Sequence, residues 1–180
     1  MSLSGSVYAV TLDVLWYTYA QPTSEYVSFY SSLSGPGGVS TYPQSAGYNW
    51  NVSFFGPTDP APTFANYDVL VIHSGEAFRT GTPLATPNYA GILNNKTAIE
   101  AARGTRTFIS GSDADFHAVR GDSGTCPALN CGAFDGACGY VINAVNWAAS
   151  GPGLGIVSFY HGEFAGSYWW DDPNSFLKSE

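Results

Sequence analysis

The apolar residues of this chain gather into five short runs, and segments of helical spacing or turn residues separate one run from the next. Val7 to Tyr17 is rich in Val, Leu and aromatic residues, which predicts a buried strand. Pro22-Thr23-Ser24-Glu25 supplies a helix start, and Tyr26, Phe29, Tyr30 and Leu33 are spaced to share one apolar face. Gly35-Pro36-Gly37-Gly38 ends that helix. Trp50, Val52 and Phe54 alternate with Asn51 and Ser53, the two-residue period of a second strand. Pro57, Pro60 and Pro62 then break the chain. Tyr67-Asp68-Val69-Leu70-Val71-Ile72 follows, apolar enough to be a strand covered on both faces.

Beyond it lies a helical stretch through Ala98, Ile99 and Ala102, with Gly104 expected as its C-terminal cap. Arg106 to Ile109 reads as a fourth strand. After a long loop, Asp135 to Ser150 gives the strongest helical pattern. Its apolar positions Cys138, Val141, Ile142, Val145 and Ala148 fit a 3.6-residue period, and Gly151 stops it. Gly155 to Tyr160 is the fifth strand. Strands alternating with helices predict parallel pairing through right-handed crossovers, hence one α/β domain over residues 1–180 with a mainly parallel central sheet. Val69–Ile72 and Phe108–Ile109 are expected among its central strands. In such open sheets, ligands bind outside the carboxyl ends of the strands.

Charge narrows the partners. A net charge of −8 with six Lys and Arg leaves no basic stripe to follow a phosphate backbone. Nucleic acid and anionic membrane surfaces are therefore not expected partners, and no run approaches the roughly 18 apolar residues of a bilayer span. Charged residues are scarce while Ser, Thr, Gly, Tyr and Asn abound, a neutral polar surface that suits an exported protein. No signal-peptide pattern is read ahead of the strand expected from Val7. Cys126, Cys131 and Cys138 form an odd set, which excludes full pairing within one chain. The favoured arrangement is a Cys126–Cys131 disulfide with Cys138 buried on the following helix. Zinc would need about four ligands, and this cluster offers three with no His beside it.

Each of the three histidines falls at or just past a strand end. His73 closes the third strand, His117 lies beyond the fourth, and His161 follows the fifth. Glu76, Asp113, Asp115 and Glu163 accompany them. Groups distant in sequence but gathered on one rim can supply an acid–base pair or metal ligands. Taken singly, each is equally a strand-end or loop cap. Asp113-x-Asp115-x-His117 would present all three side chains on one face if extended, and so offers a divalent-metal site that His73 or Glu76 could complete.

Three local motifs, in order, resemble the class I glutamine amidotransferase-like family, which has a flavodoxin-like fold. Tyr67-Asp68-Val69-Leu70-Val71-Ile72-His73-Ser74-Gly75 is similar to that family's strand leading into a glycine-rich oxyanion loop. The resemblance thereby implies substrate contacts at His73, Ser74, Gly75 and Glu76. Phe159-Tyr160-His161-Gly162-Glu163 resembles the His-x-Glu element that provides a base and its orienting acid. Thr107-Phe108-Ile109-Ser110-Gly111-Ser112 occupies the place of the nucleophile strand and elbow, and Phe108 to Asp115 is similar to the trehalose-utilisation (ThuA-like) branch. The fold implied is a flavodoxin-like three-layer sandwich.

The elbow departs from that family's pattern. Ser110, Gly111 and Ser112 stand where an amidotransferase has its cysteine. A serine hydroxyl without a close base is a poor nucleophile, so glutamine hydrolysis is not expected. Two readings stay open. One is a small-molecule or carbohydrate-related hydrolase using Ser110 or Ser112 with His161 and Glu163. The other is a non-catalytic exported binding or structural module that lost the nucleophile. Gly121-Asp122-Ser123-Gly124 matches a serine-protease tetrapeptide but sits in a βα chain, where it reads as a turn. Tyr168-Trp169-Trp170 reads as a plug for the core edge before a sugar-stacking platform. Oligomeric state and substrate are not legible.

Overall fold

A computed structural model of the chain describes residues 10–18, 24–35, 38–41, 45, 47–74, 89–111, 113–120, 136–159 and 173–177. Among the described residues five strands, β1 (Val10–Tyr17), β2 (Tyr48–Phe55), β3 (Val69–Ile72), β4 (Arg103–Ser110) and β5 (Leu154–Phe159), form one sheet in the order β2-β1-β3-β5-β4. Every pairing is parallel. The helices are α1 (Ser24–Ser32), α2 (Ala90–Leu93), α3 (Lys96–Ala102), α4 (Ala114–Arg120) and α5 (Ala137–Ala149).

Crossover handedness decides which face each helix covers. Parallel connections are right-handed almost without exception, so connections running in opposite directions along the sheet pass over opposite faces. The links β1 to β2 and β4 to β5 both run toward the β2 edge, and they carry α1, α4 and α5 on one face. The links β2 to β3 and β3 to β4 run the other way. They place Phe64, α2 and α3 on the opposite face. Two hydrophobic clusters follow from this. Val14, Trp16, Val69, Val71, Val157 and Phe159 pack against α1, α4 and α5. Leu15, Tyr17, Leu70, Ile72 and Ile156 pack against Phe64, Ile92, Ile99 and the C-terminal Phe176. The chain is a three-layer α/β sandwich of the flavodoxin-like class. It differs from the flavodoxin order 2-1-3-4-5 in the exchange of its last two strands.

Polar latches fix the layers. Asp68 accepts from the Asp13 amide through Oδ2 (2.7 Å), while its own amide donates to the Asp13 carbonyl and its carbonyl accepts from Gly155. One residue thus ties the middle of β1 to the amino ends of β3 and β5. Across the α5 face, Trp50 Nε1 donates to Asn146 Oδ1 (2.8 Å), and Asn146 Nδ2 donates to the Ser45 carbonyl.

Several expectations need correction. The segment Phe108–Ile109 is not central: β4 lies at the edge, and Ile109 is 40% exposed. Only Phe108 of the pair gains cover, from α5, while Leu154–Phe159 is buried at every position and takes the inner place. Gly104 does not cap a helix; it lies within β4, where a Cβ would overlap the backbone of Pro152. Cys138, buried on α5 as expected, is disulfide-bonded. The expected Cys126–Cys131 pairing falls on residues outside the described ones. The apolar stripe of α5 holds as predicted, with Cys138, Val141, Ile142, Val145 and Ala148 all buried.

Gly155 brings β5 against the last turn of α5, because a Cβ there would collide with the Ala148 carbonyl. Gly155→Ala should therefore destabilise the fold by roughly 1–3 kcal/mol, as overpacking does. Urea unfolding should show a lower midpoint at unchanged slope. An unaltered midpoint would mean that this contact yields freely.

Candidate functional site

The strand order sets where a ligand crevice opens. The connection leaving β1 passes over one face and that leaving β3 over the other, so the carboxyl ends of these neighbours are the switch point at which open α/β sheets take their ligands. His73 and Ser74 follow β3 at this point, and both are buried. Facing them is Asp115, in the first turn of α4, with no exposed surface.

Asp115 joins the elements. Its Oδ2 accepts the Ser74 amide at 2.8 Å and lies 4.0 Å from His73 Nδ1. Its backbone carbonyl accepts the Tyr30 hydroxyl of α1 at 2.7 Å. The Tyr30 ring stacks on Trp16 of β1 with centroids 3.7 Å apart. Burial and the neighbouring Asp115 both push the Tyr30 phenol well above its ordinary range, so it stays a neutral donor. The Ser74 hydroxyl is buried and has no hydrogen-bond partner among the described residues.

Burial lowers the His73 pKa to about 3, so the ring is neutral near pH 7. The 4.0 Å approach to Asp115 is therefore not an ion pair, since it involves an uncharged imidazole. His73 and Asp115 are thus two neighbouring buried polar groups.

The expected metal set does not assemble. Asp113-x-Asp115-x-His117 runs into the α4 helix instead of lying extended. Helical spacing puts Asp113 and His117 on one side, with Oδ1 and Nε2 3.4 Å apart, and turns Asp115 to the other. Among the described residues no group of three His, Cys, Asp or Glu side chains is placed to hold a metal.

Ser110 closes β4 and shares a 3.1 Å hydrogen bond with the Tyr140 hydroxyl of α5. It lies beside Phe159 in register, and His73, one residue past the Ile72–Ser158 pair, falls on the same row. Two strand spacings, about 10 Å, separate the backbones of His73 and Ser110, with Phe159 between them. Gly75, Glu76, Ser112, His161 and Glu163 lie outside the described residues, as does Tyr168-Trp169-Trp170. Sequence reasoning missed Tyr30 and Trp16 as supports of the site. It also missed a second surface feature, exposed Tyr140 and Trp147, which stand off the apolar stripe of α5. Two large aromatics on the polar side of an amphipathic helix were the available signal.

Comparison with known proteins adds no relative: no protein-family model, curated protein or solved structure matches the chain.

The His73 pKa fixes a stability prediction. Above pH 6.5 neither state binds its proton. Below 6.5 the unfolded chain takes a proton that the folded chain refuses until about pH 3, so stability falls as pH drops through that window. Between pH 7 and 5 the wild type should lose on the order of 2 kcal/mol more than His73→Gln, compared by urea unfolding. Equal losses would show that the ring titrates normally.

Proposed function

We propose that this chain is a non-catalytic, exported binding domain of the amidotransferase-like type, taking a small polar molecule or carbohydrate at the carboxyl ends of β1 and β3. One observation carries the reading: among the described residues, the polar groups at that crevice are uncharged or fully enclosed, where acid–base catalysis would need a group that titrates near neutral pH. His73 is neutral through burial, and Asp115 is completely enclosed. The buried Ser74 hydroxyl lacks a partner among the described residues. Such a hydroxyl costs about 1–3 kcal/mol, which a ligand hydrogen bond would recover. Ser110, in the elbow place, bonds to a phenol. The Cys138 thiol is committed to a disulfide, which withdraws it as a nucleophile and supports an oxidising compartment.

A serine-hydrolase reading has its own support. β5 lies between β3 and β4, and Phe159 sits beside Ser110 two residues before His161. The His-x-Glu element therefore follows the strand next to the elbow serine.

Nitrophenyl esters, nitrophenyl glycosides and glutamine, assayed on the purified protein, decide between the two. The binding reading expects no turnover above buffer with any of them. It also expects amide shifts at Ser74 when simple sugars and polyols are titrated by NMR. Turnover that disappears in His161→Ala or Ser110→Ala would establish the hydrolase instead.

A further inference from the structure

The outer side of α5 presents two large exposed aromatics, Tyr140 (43% exposed) and Trp147 (46%), seven residues apart and hence on one side of the helix. Beneath them runs β4, the edge strand, with Phe108 turned toward the helix. Phe108 meets Tyr140 and Trp147 edge-on, with centroids 5.7 and 6.4 Å apart and interplanar angles of 66° in both cases. With Asn143 and Ala144 these side chains line a cleft of about 320 Å³. The Arg106 guanidinium lies over the Trp147 ring, 5.3 Å from its centroid, and donates to the Trp147 carbonyl and to Ser150 Oγ. The indole is thus held in place from one side.

We propose that this cleft binds the ring of a neutral sugar. Its walls and floor are apolar, and polar atoms stand at the margin: the Tyr140 hydroxyl and the Asn143 amide. A pyranose matches that division, because its C–H face is apolar and its hydroxyls project around the edge. The volume lies at the small end of ligand pockets, about 300–1,000 Å³, which suits one or two rings and excludes a folded polypeptide segment. Charge excludes ionic ligands. Among the described residues no carboxylate lines the cleft to draw a cation, and Arg106 nearby is directed onto backbone and Ser150 oxygens. The cleft lies at the β4 edge, two strands from the β1–β3 crevice, and the inference holds whether or not that crevice binds anything.

Cellotetraose, maltotetraose and chitotetraose, titrated separately into the whole chain, test the proposal through the Trp147 indole N–H resonance. Trp147→Phe assigns that resonance, and toluene serves as a neutral, non-sugar apolar probe. At least one tetraose should shift the indole signal. Trp147→Ala and Asn143→Ala should each weaken that binding at least about tenfold at unchanged thermal midpoint, while Tyr140→Phe, which keeps the ring, should weaken it less. Should Trp147→Ala fail to fold, Asn143→Ala and the wild-type shift map carry the same comparison. Absence of any indole shift up to about 10 mM of all three sugars overturns the proposal. So does binding that survives both alanine variants, or binding of the apolar probe alone.

Discussion

The enclosed carboxyl group of Asp115 is the constraint on which this architecture turns. A polar group with no exposed surface must be met by donors from the protein, or the fold bears its full desolvation cost. Here the donor is the Ser74 amide, available only if β3 ends where it does and the chain turns toward α4. The same residue's backbone receives Tyr30, which in turn stacks on Trp16. Four elements on one face, β1, α1, β3 and α4, are therefore registered against each other through one side chain and its peptide. At the other end of β3, Asp68 does the corresponding work for β1, β3 and β5. Between these two carboxyl groups the sheet needs little beyond apolar packing.

Much of the architecture was legible because it rests on local periodicity. Val69–Ile72 announces an inner strand through four consecutive apolar residues, and all four are buried. The stripe along α5 is as plain, since five positions at helical spacing have no other economical reading. What an apolar pair alone cannot carry is lateral order. Phe108–Ile109 is as apolar as an inner strand, yet whether β4 or β5 lies inside depends on the direction of the return crossover. The edge position is marked instead by Arg103, Thr105, Arg106 and Thr107, polar residues of the same strand. The candidate site was partly legible for a similar reason. Strand ends locate His73 reliably, but the helical state of residues 114–120 decides that Asp113 pairs with His117 while Asp115 turns inward. An extended reading of that segment gave the wrong face to every second residue.

The two surfaces of interest differ in kind. The crevice between β1 and β3 is lined by enclosed polar groups whose positions are fixed by hydrogen bonds. The cleft beside β4 is lined by exposed rings whose positions are fixed by contact with one another and with Arg106. The first offers hydrogen-bond geometry, the second shape and an apolar face. Tyr140 is shared ground, because its ring walls the cleft while its hydroxyl reaches Ser110 at the carboxyl end of β4.

The exchange of the last two strands also bears on how the chain assembles as it is made. Synthesis delivers β4 some fifty residues before β5, yet β4 has no neighbour in the sheet until β5 arrives to separate it from β3. A nascent chain that has emerged as far as residue 110 can close the β2-β1-β3 trio and nothing more. The open flank of β3 then carries four apolar residues and unpaired backbone groups, an exposure that invites pairing with the wrong strand. Correct closure must wait for a segment distant in sequence, the circumstance in which loop-closure entropy slows folding. Of the five described strands, the last to be translated is therefore the one that completes the interior.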